Sequence, residues 1–246
     1  MSTKTVPQSI LLALVLAIAA TPGCQDRAAQ AEAAAAAQAQ ANEQAAAEMG
    51  AAFDAAFTAQ NWPLAKAQGD LLLARFPDSA AAKRIAPQHA EAEAQANAAR
   101  DEMRLAALWS YNVETVKGGK QLSAAIFARE ELDTDGSGKH PVRLIFRDHP
   151  SWGDSAYLVL QAGDFDCYPS CRVQVTVDDA APRAMAANRP KTDEAIAMFI
   201  DDERALWRMT REAKQISIEF PVKAGGKRTA VFEVAGLDRG KLPGWD

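Results

Sequence analysis

Two runs of strict alternation constrain this chain more than any other feature. Val142, Leu144 and Phe146 alternate with Arg143, Ile145 and Arg147, and Val173, Val175 and Val177 alternate with Arg172, Gln174 and Thr176. A period of two belongs to a strand with one face in a core and the other in solvent, so these runs predict half-buried antiparallel strands. Between them lies Cys167-Tyr-Pro-Ser-Cys171. The same alternation recurs at Ile216, Ile218 and Phe220 and, past a Gly225-Gly226 turn, at Ala230, Phe232 and Val234. Earlier, a Lys117-Gly-Gly-Lys120 turn leads into a strand at Leu122, Ala124 and Ile126, with Phe127 on its other face. Arg183 to Ala186 and Ala195 to Ile200 also read as strands, and Asp202 opens a short helix whose Ala205, Leu206, Met209 and Ala213 share one face.

The first part of the chain follows another rule. From Gln25 to about Met49 it is Ala, Gln and Glu with almost nothing large. Alanine favours helix, but a helix without an apolar stripe has nothing to pack, so 24–49 is expected to be a semi-helical tether. No heptad of large residues points to a coiled coil. Beyond it, Phe53 and Phe57 sit one helical turn apart, Asn61-Trp62-Pro63 breaks the helix, and Ala65, Leu72 and Leu73 begin a second amphipathic run that ends at Phe76-Pro77. Asp78 or Ser79 then caps a third helix that runs to about Leu108. Phe57, Trp62, Ala65 and Pro77 resemble a tetratricopeptide unit in type and spacing, which implies close helix approach at Ala65 and a helix end at Pro77. Independent solenoids of such repeats need about three copies. The expectation is therefore a helical hairpin over 50–108, with Gly69 in a packing position, that docks on a partner or on the strand domain. An ordinary helical spacer is the alternative. With the strand domain over 109–246, the predicted class is α+β: an N-terminal helical hairpin followed by an antiparallel β-sandwich with one short helix.

The amino terminus reads as an export signal over 1–23. Lys4 supplies positive charge, and the eleven apolar residues Ile10 to Ala20 are too few to span a bilayer, which takes about 20. Thr21-Pro-Gly-Cys24 resembles the lipobox of bacterial lipoproteins, in which a cysteine after a small residue carries lipid and becomes the first mature residue. The alternative is simple secretion after cleavage at Ala19. With three cysteines in an exported chain, lipidation of Cys24 leaves Cys167 and Cys171 to pair, Pro169 presetting one dihedral of the turn between them. Metal binding and redox activity are weaker alternatives, because no second Cys or His pair completes a zinc set and the spacing is not Cys-x-x-Cys. With 27 Lys and Arg against 32 Asp and Glu, and no basic block, nothing in the charge pattern favours nucleic acid or an anionic membrane face. Membrane contact is expected through the lipid alone, and no cofactor is expected.

Two motifs invite chemistry. Asp133-Thr-Asp135-Gly-Ser137-Gly138 copies the opening of a calcium-binding EF-hand loop, but Leu144 stands where the bidentate Glu should be, so a hairpin turn is the competing explanation. Gly153-Asp-Ser155-Ala is similar to the surroundings of nucleophilic serines, with His140 and His149 nearby in sequence. A charged turn entering the strand Tyr157 to Leu160 accounts for the same residues without catalysis.

The order of elements resembles the TagO/VasI-type accessory proteins of type VI secretion and, more distantly, invasion-associated locus B proteins. The matching residues are Cys167, Cys171, Asp178, the helix Glu203 to Ala213, Lys214 and Gly236-Leu237-Asp238. The resemblance implies fold and compartment and carries no catalytic signature. The expected role is a noncatalytic envelope lipoprotein that binds or scaffolds another envelope component, with a hydrolase using Ser155 or a calcium-binding protein as the other class. Gln25 after the cysteine resembles lipoproteins sent to the outer membrane. For a partner, the expected surface lies near Trp109, Tyr111 and Arg147, since ligand sites favour domain junctions and aromatics and arginines dominate hot spots. Replacing Cys24 with Ser should release the protein from membranes, and unchanged sedimentation with the membrane fraction would refute lipidation.

Overall fold

The computed structural model describes residues 23–191 and 196–245. The expected signal segment up to Pro22, the side chain of Cys24 and the expected strand residue Ala195 lie outside them. The chain divides into two compact units, one through Ala94 and the other from Gln95 to Asp246. Trp109, the expected boundary, thus falls inside the second.

The first unit is helical. Helix α1 (Gly23–Thr58) is continuous through the whole expected tether, and its residues 26–44 are exposed throughout, as a helix without an apolar stripe must be. Packing begins at Ala46, which is fully buried with Phe53 and Ala56. Helix α2 (Trp62–Arg75) starts where the Asn61 side chain accepts the Leu64 N–H and Pro63 occupies the first turn. Helix α3 (Ala80–Ala107) is capped by Ser79, whose hydroxyl accepts the Ala82 N–H at 3.1 Å. Its Ala81, Ala82, Ile85 and Ala92 join Ala65 and Leu72 of α2 in one core, so the unit is three-helical. Trp62 packs edge-on against Phe57 at 5.4 Å, which makes it a structural residue. At Gly69 α2 and α3 approach closely: a Cβ there would lie 2.2 Å from the ring of His89, which is held by Asp70 at 2.8 Å.

The second unit is built on one continuous antiparallel sheet. Its strands are β1 (Trp109–Val116), β2 (Gly119–Phe127), β5 (Val142–His149), β6 (Gly153–Leu160), β7 (Cys171–Val177), β8 (Arg183–Asn188), β9 (Ala197–Ile200), β10 (Ile216–Pro221) and β11 (Lys227–Phe232). The two-residue strands β3 (Leu132–Asp133) and β4 (Lys139–His140) form a separate hairpin. The main sheet runs β1-β2-β5-β6-β9-β8-β7-β10-β11. It coils until the chain leaving β2 meets the far end: the Arg129 N–H donates to the Val231 carbonyl of β11 at 2.7 Å. The sandwich-like core is therefore enclosed by a single sheet, with Leu144, Phe146 and Leu158 from one half and Val173, Val175, Ile218 and Phe232 from the other in one cluster. Each of these except Leu158, whose strand was read without a parity, occupies the inward parity that the alternation in sequence assigns.

Helix α4 (Glu203–Met209) is capped by Asp202 and contributes buried Leu206 and Trp207 to that core. It ends four residues short of Ala213, which is buried from the following turn. Asp178, at the end of β7 with φ +48°, accepts the backbone N–H groups of Lys214 and Gln215 at 2.9 Å each, fixing the entry to β10. The single turn Val234–Gly236 packs directly on α3: a Cβ on Gly236 would lie 2.2 Å from the Leu105 carbonyl carbon and 2.4 Å from the Ala106 nitrogen. Because backbone cannot yield as a flexible side chain can, Gly236→Ala should destabilise the unit by about 1–3 kcal/mol in urea unfolding. Gly240→Ala, where the nearest neighbour is the Asp238 carboxylate oxygen at 3.2 Å, should cost much less; equal losses would contradict this account.

Candidate functional site

The outward parity of β5 places Arg143, Ile145, Arg147 and His149 in a row on the solvent side of the sheet. Register sets their neighbours. Arg143 lies between Phe127 of β2 and Val159 of β6, Ile145 between Ala125 and Tyr157, and Arg147 between Ser123 and Ser155. Tyr157 is opposite Phe199 of β9, and their rings lie 4.9 Å apart. At the β5–β6 turn, His149 Nδ1 accepts the N–H groups of Ser151 and Trp152 at 3.1 and 3.2 Å. That turn folds the Trp152 indole flat over the imidazole, with ring centres 3.9 Å apart, and leaves Trp152 72% exposed.

Both guanidinium groups are held over rings. Arg143 lies 5.1 Å from the Phe127 centroid, and Arg147 lies 5.4 Å from Trp152 and 5.2 Å from Tyr157. Each such contact is worth about 0.5–1 kcal/mol when exposed. Arg147 Nε also donates to the Ser155 hydroxyl at 3.1 Å. Among the described residues neither arginine has a carboxylate partner, and Arg143 Nε is buried without a hydrogen bond. Burial pushes the Tyr157 phenol above its ordinary pKa, while the neighbouring Arg147 and Arg143 charges oppose that rise. The face can therefore offer an anion two oriented fork donors, set among flat rings for stacking.

The cavity beside the disulfide is different. Asp164, Asp166, Tyr168, Arg189 and Lys223 line it, and Asp164 bridges Arg189 at 2.9 Å and Lys223 at 2.6 Å. Burial works against that carboxylate, but the hydrogen bonds from Arg189 and Lys223 prevail and hold its pKa below the usual range. Arg189 and Lys223 thus already share a carboxylate partner. The Cys167–Cys171 disulfide itself is formed, with the cis Tyr168–Pro169 peptide between the cysteines, and the Cys167 carbonyl accepts the Arg189 N–H at 3.1 Å.

The residues singled out from sequence divide sharply. Trp109 and Tyr111 have inward parity, opposite Ile126 and Ala124, so they do not share a surface with Arg147. Trp109 is 6% exposed and packs 6.3 Å from Phe146, and the Tyr111 hydroxyl accepts the Asp238 N–H at 2.7 Å. Burying Trp109 in the core outweighs any use of its indole as an exposed anchor. Asp133 accepts the N–H groups of Asp135 and Gly136, and Asp135 accepts the N–H and hydroxyl of Ser137. Those bonds are the chemistry of a tight hairpin turn, and the Ser137 hydroxyl holds the Asp135 pKa down. Among the described residues no hydrogen bond joins Ser155 to His140 or His149; its recorded partner is a cation, which does not accept a proton. Phe127, Tyr157 and Trp152 complete the face. The parity of Phe127 was readable in sequence, but the approach of Phe127 and Tyr157 to Arg143 and Arg147 depends on register.

No protein-family model matches the chain, and no curated protein matches it. Among solved structures it is similar to the crystal structure of invasion associated protein B from Bartonella henselae, at 16% identity and a TM-score of 0.38, over 56% of this chain and 91% of that one.

Proposed function

We propose that this is a noncatalytic lipoprotein of the bacterial cell envelope whose strand unit binds another envelope component through the arginine–aromatic face. The observation that carries this reading is the pair of guanidinium groups at Arg143 and Arg147, oriented by Phe127, Trp152 and Tyr157 and, among the described residues, without a carboxylate partner. Arginine and large aromatics are the residues that most often dominate binding interfaces. Rings that hold a guanidinium in place reduce the rotamer entropy lost when a partner arrives, about 2 kcal/mol for a free side chain.

Export through the segment 1–23 and lipid on Cys24 would place the protein at the outer membrane facing the periplasm, with the helical stretch 24–49 as a spacer. A secretion-system accessory role, the role of the TagO/VasI-type proteins that the chain resembles, is one specific form of this proposal. Serving Ser155 and His149 as turn and strand partners supports binding over hydrolysis.

The test is affinity capture from envelope extract with the wild type and an Arg143→Ala, Arg147→Ala variant, with circular dichroism confirming that both are folded. Recovery of the principal partner should fall at least about tenfold, the equivalent of 1.4 kcal/mol, and recovery should fall with added salt. Identical partners and yields from both proteins would place binding elsewhere.

A further inference from the structure

The two edges of the nine-stranded sheet are treated differently. β11 is covered: the segment after β2 donates the Arg129 N–H to Val231, and Arg228 of β11 donates to the Asp133 carbonyl. β11 also opens with Lys227 and Arg228, charges of the kind that blunt a strand edge. β1 carries none of these devices. Among the described residues, no backbone hydrogen bond reaches 110–116 from any element but β2. Its sequence Trp-Ser-Tyr-Asn-Val-Glu-Thr-Val contains no Pro, Gly, Lys or Arg, and Glu114 is its one charge. Asn112, Val113, Glu114 and Thr115 are exposed, Val113 to 61%. A strand in which every second residue points its N–H and C=O away from the sheet is a template for another strand.

We infer that β1 pairs antiparallel with β1 of a second copy of this chain, joining two sheets into one across a two-fold axis at Val113. The strand is complementary to itself in that register. Val113 meets Val113 of the second copy as an apolar cross-strand pair, Asn112 meets Glu114, and Tyr111 meets Thr115. The single carboxylate of each strand thereby faces an amide that can donate to it, and no like charges are opposed. A two-fold axis perpendicular to the sheet also keeps the same face of each copy on the same side. The dimer would present two arginine–aromatic faces on one surface, so a partner with repeated anionic groups would gain by binding both.

The test uses the full exported chain with Cys24→Ser, which removes lipid as a cause of association. Sedimentation equilibrium should show a monomer–dimer equilibrium. Val113→Lys should weaken the dimer by about tenfold or more with an unchanged thermal midpoint, whereas Val113→Thr should retain it. Oxidised Val113→Cys should give a covalent dimer on nonreducing gels, because the two positions face each other at the axis. A wild type that stays monomeric at all accessible concentrations would overturn the inference and leave the edge to a strand from another protein. A dimer indifferent to Val113→Lys would overturn it in favour of another interface.

Discussion

The strand unit depends on a cluster of four aromatic side chains drawn from four elements. Phe146 of β5 lies 5.1 Å from Trp207 of α4 and 5.3 Å from Trp245, and Trp109 at the start of β1 lies 6.3 Å from it. Trp207 and Trp245 are themselves 5.0 Å apart. Each buried ring contributes about 1.5–3 kcal/mol of transfer free energy, and each favourable ring pair about 0.5–1.5 kcal/mol more. Among the described residues the indole nitrogens of Trp109 and Trp245 have no hydrogen-bond partner, at a cost of about 1–3 kcal/mol each. Packing area outweighs that cost because one ring, Phe146, contacts all three indoles. Cations close the cluster: Arg239 lies 4.3 Å from the Trp207 centroid, and Arg204 donates to the carbonyls of Gly244 and Trp245 at 3.0 Å.

The same sheet handles charge in opposite ways on its two sides. On the inward parity, Asp154 is paired with Arg204; burial drives its pKa up, nearby Asp148 adds to the rise, and Arg204 opposes it. At the disulfide cavity, Asp164 bridges two cations. On the outward parity of β5, the described residues around Arg143 and Arg147 are rings and one hydroxyl in place of carboxylates. A ring quadrupole orients a cation without cancelling its charge, whereas a carboxylate does both. This difference separates cations held by rings from cations that share a carboxylate.

Strand parity was legible in the sequence because a period of two needs no knowledge of neighbours. Val142, Leu144, Phe146, Val173, Val175, Ile216 and Ile218 all face the core as their alternation requires. Helix starts at Ser79 and Asp202 were legible for the same local reason, each accepting a backbone N–H, whereas Asn61, read as part of a helix break, also caps α2. Properties set by pairing were not. Trp109 looked like an exposed anchor, but its place opposite Ile126 turns it inward. Arg147 was visible as an outward residue, but the rings that hold it come from a turn and a neighbouring strand. The packing of α3 with α1 and α2 was also hidden, because alanine at Ala81, Ala82 and Ala92 gives no hydrophobic contrast although it permits close approach.

Closure of the aromatic cluster also determines the order in which this unit can assemble. Phe146 enters β5 early in the unit, yet two of its three indole partners, Trp207 and Trp245, lie beyond most of the remaining strands. Contacts so distant in sequence form late, since loop closure must precede any gain from them, and folds dominated by such pairing take on the order of milliseconds to seconds. Until Trp245 docks, Phe146 and Trp109 lack their cover. A newly synthesised chain therefore passes through an interval in which its most apolar surface is open, and its survival there depends on how quickly Trp245 arrives.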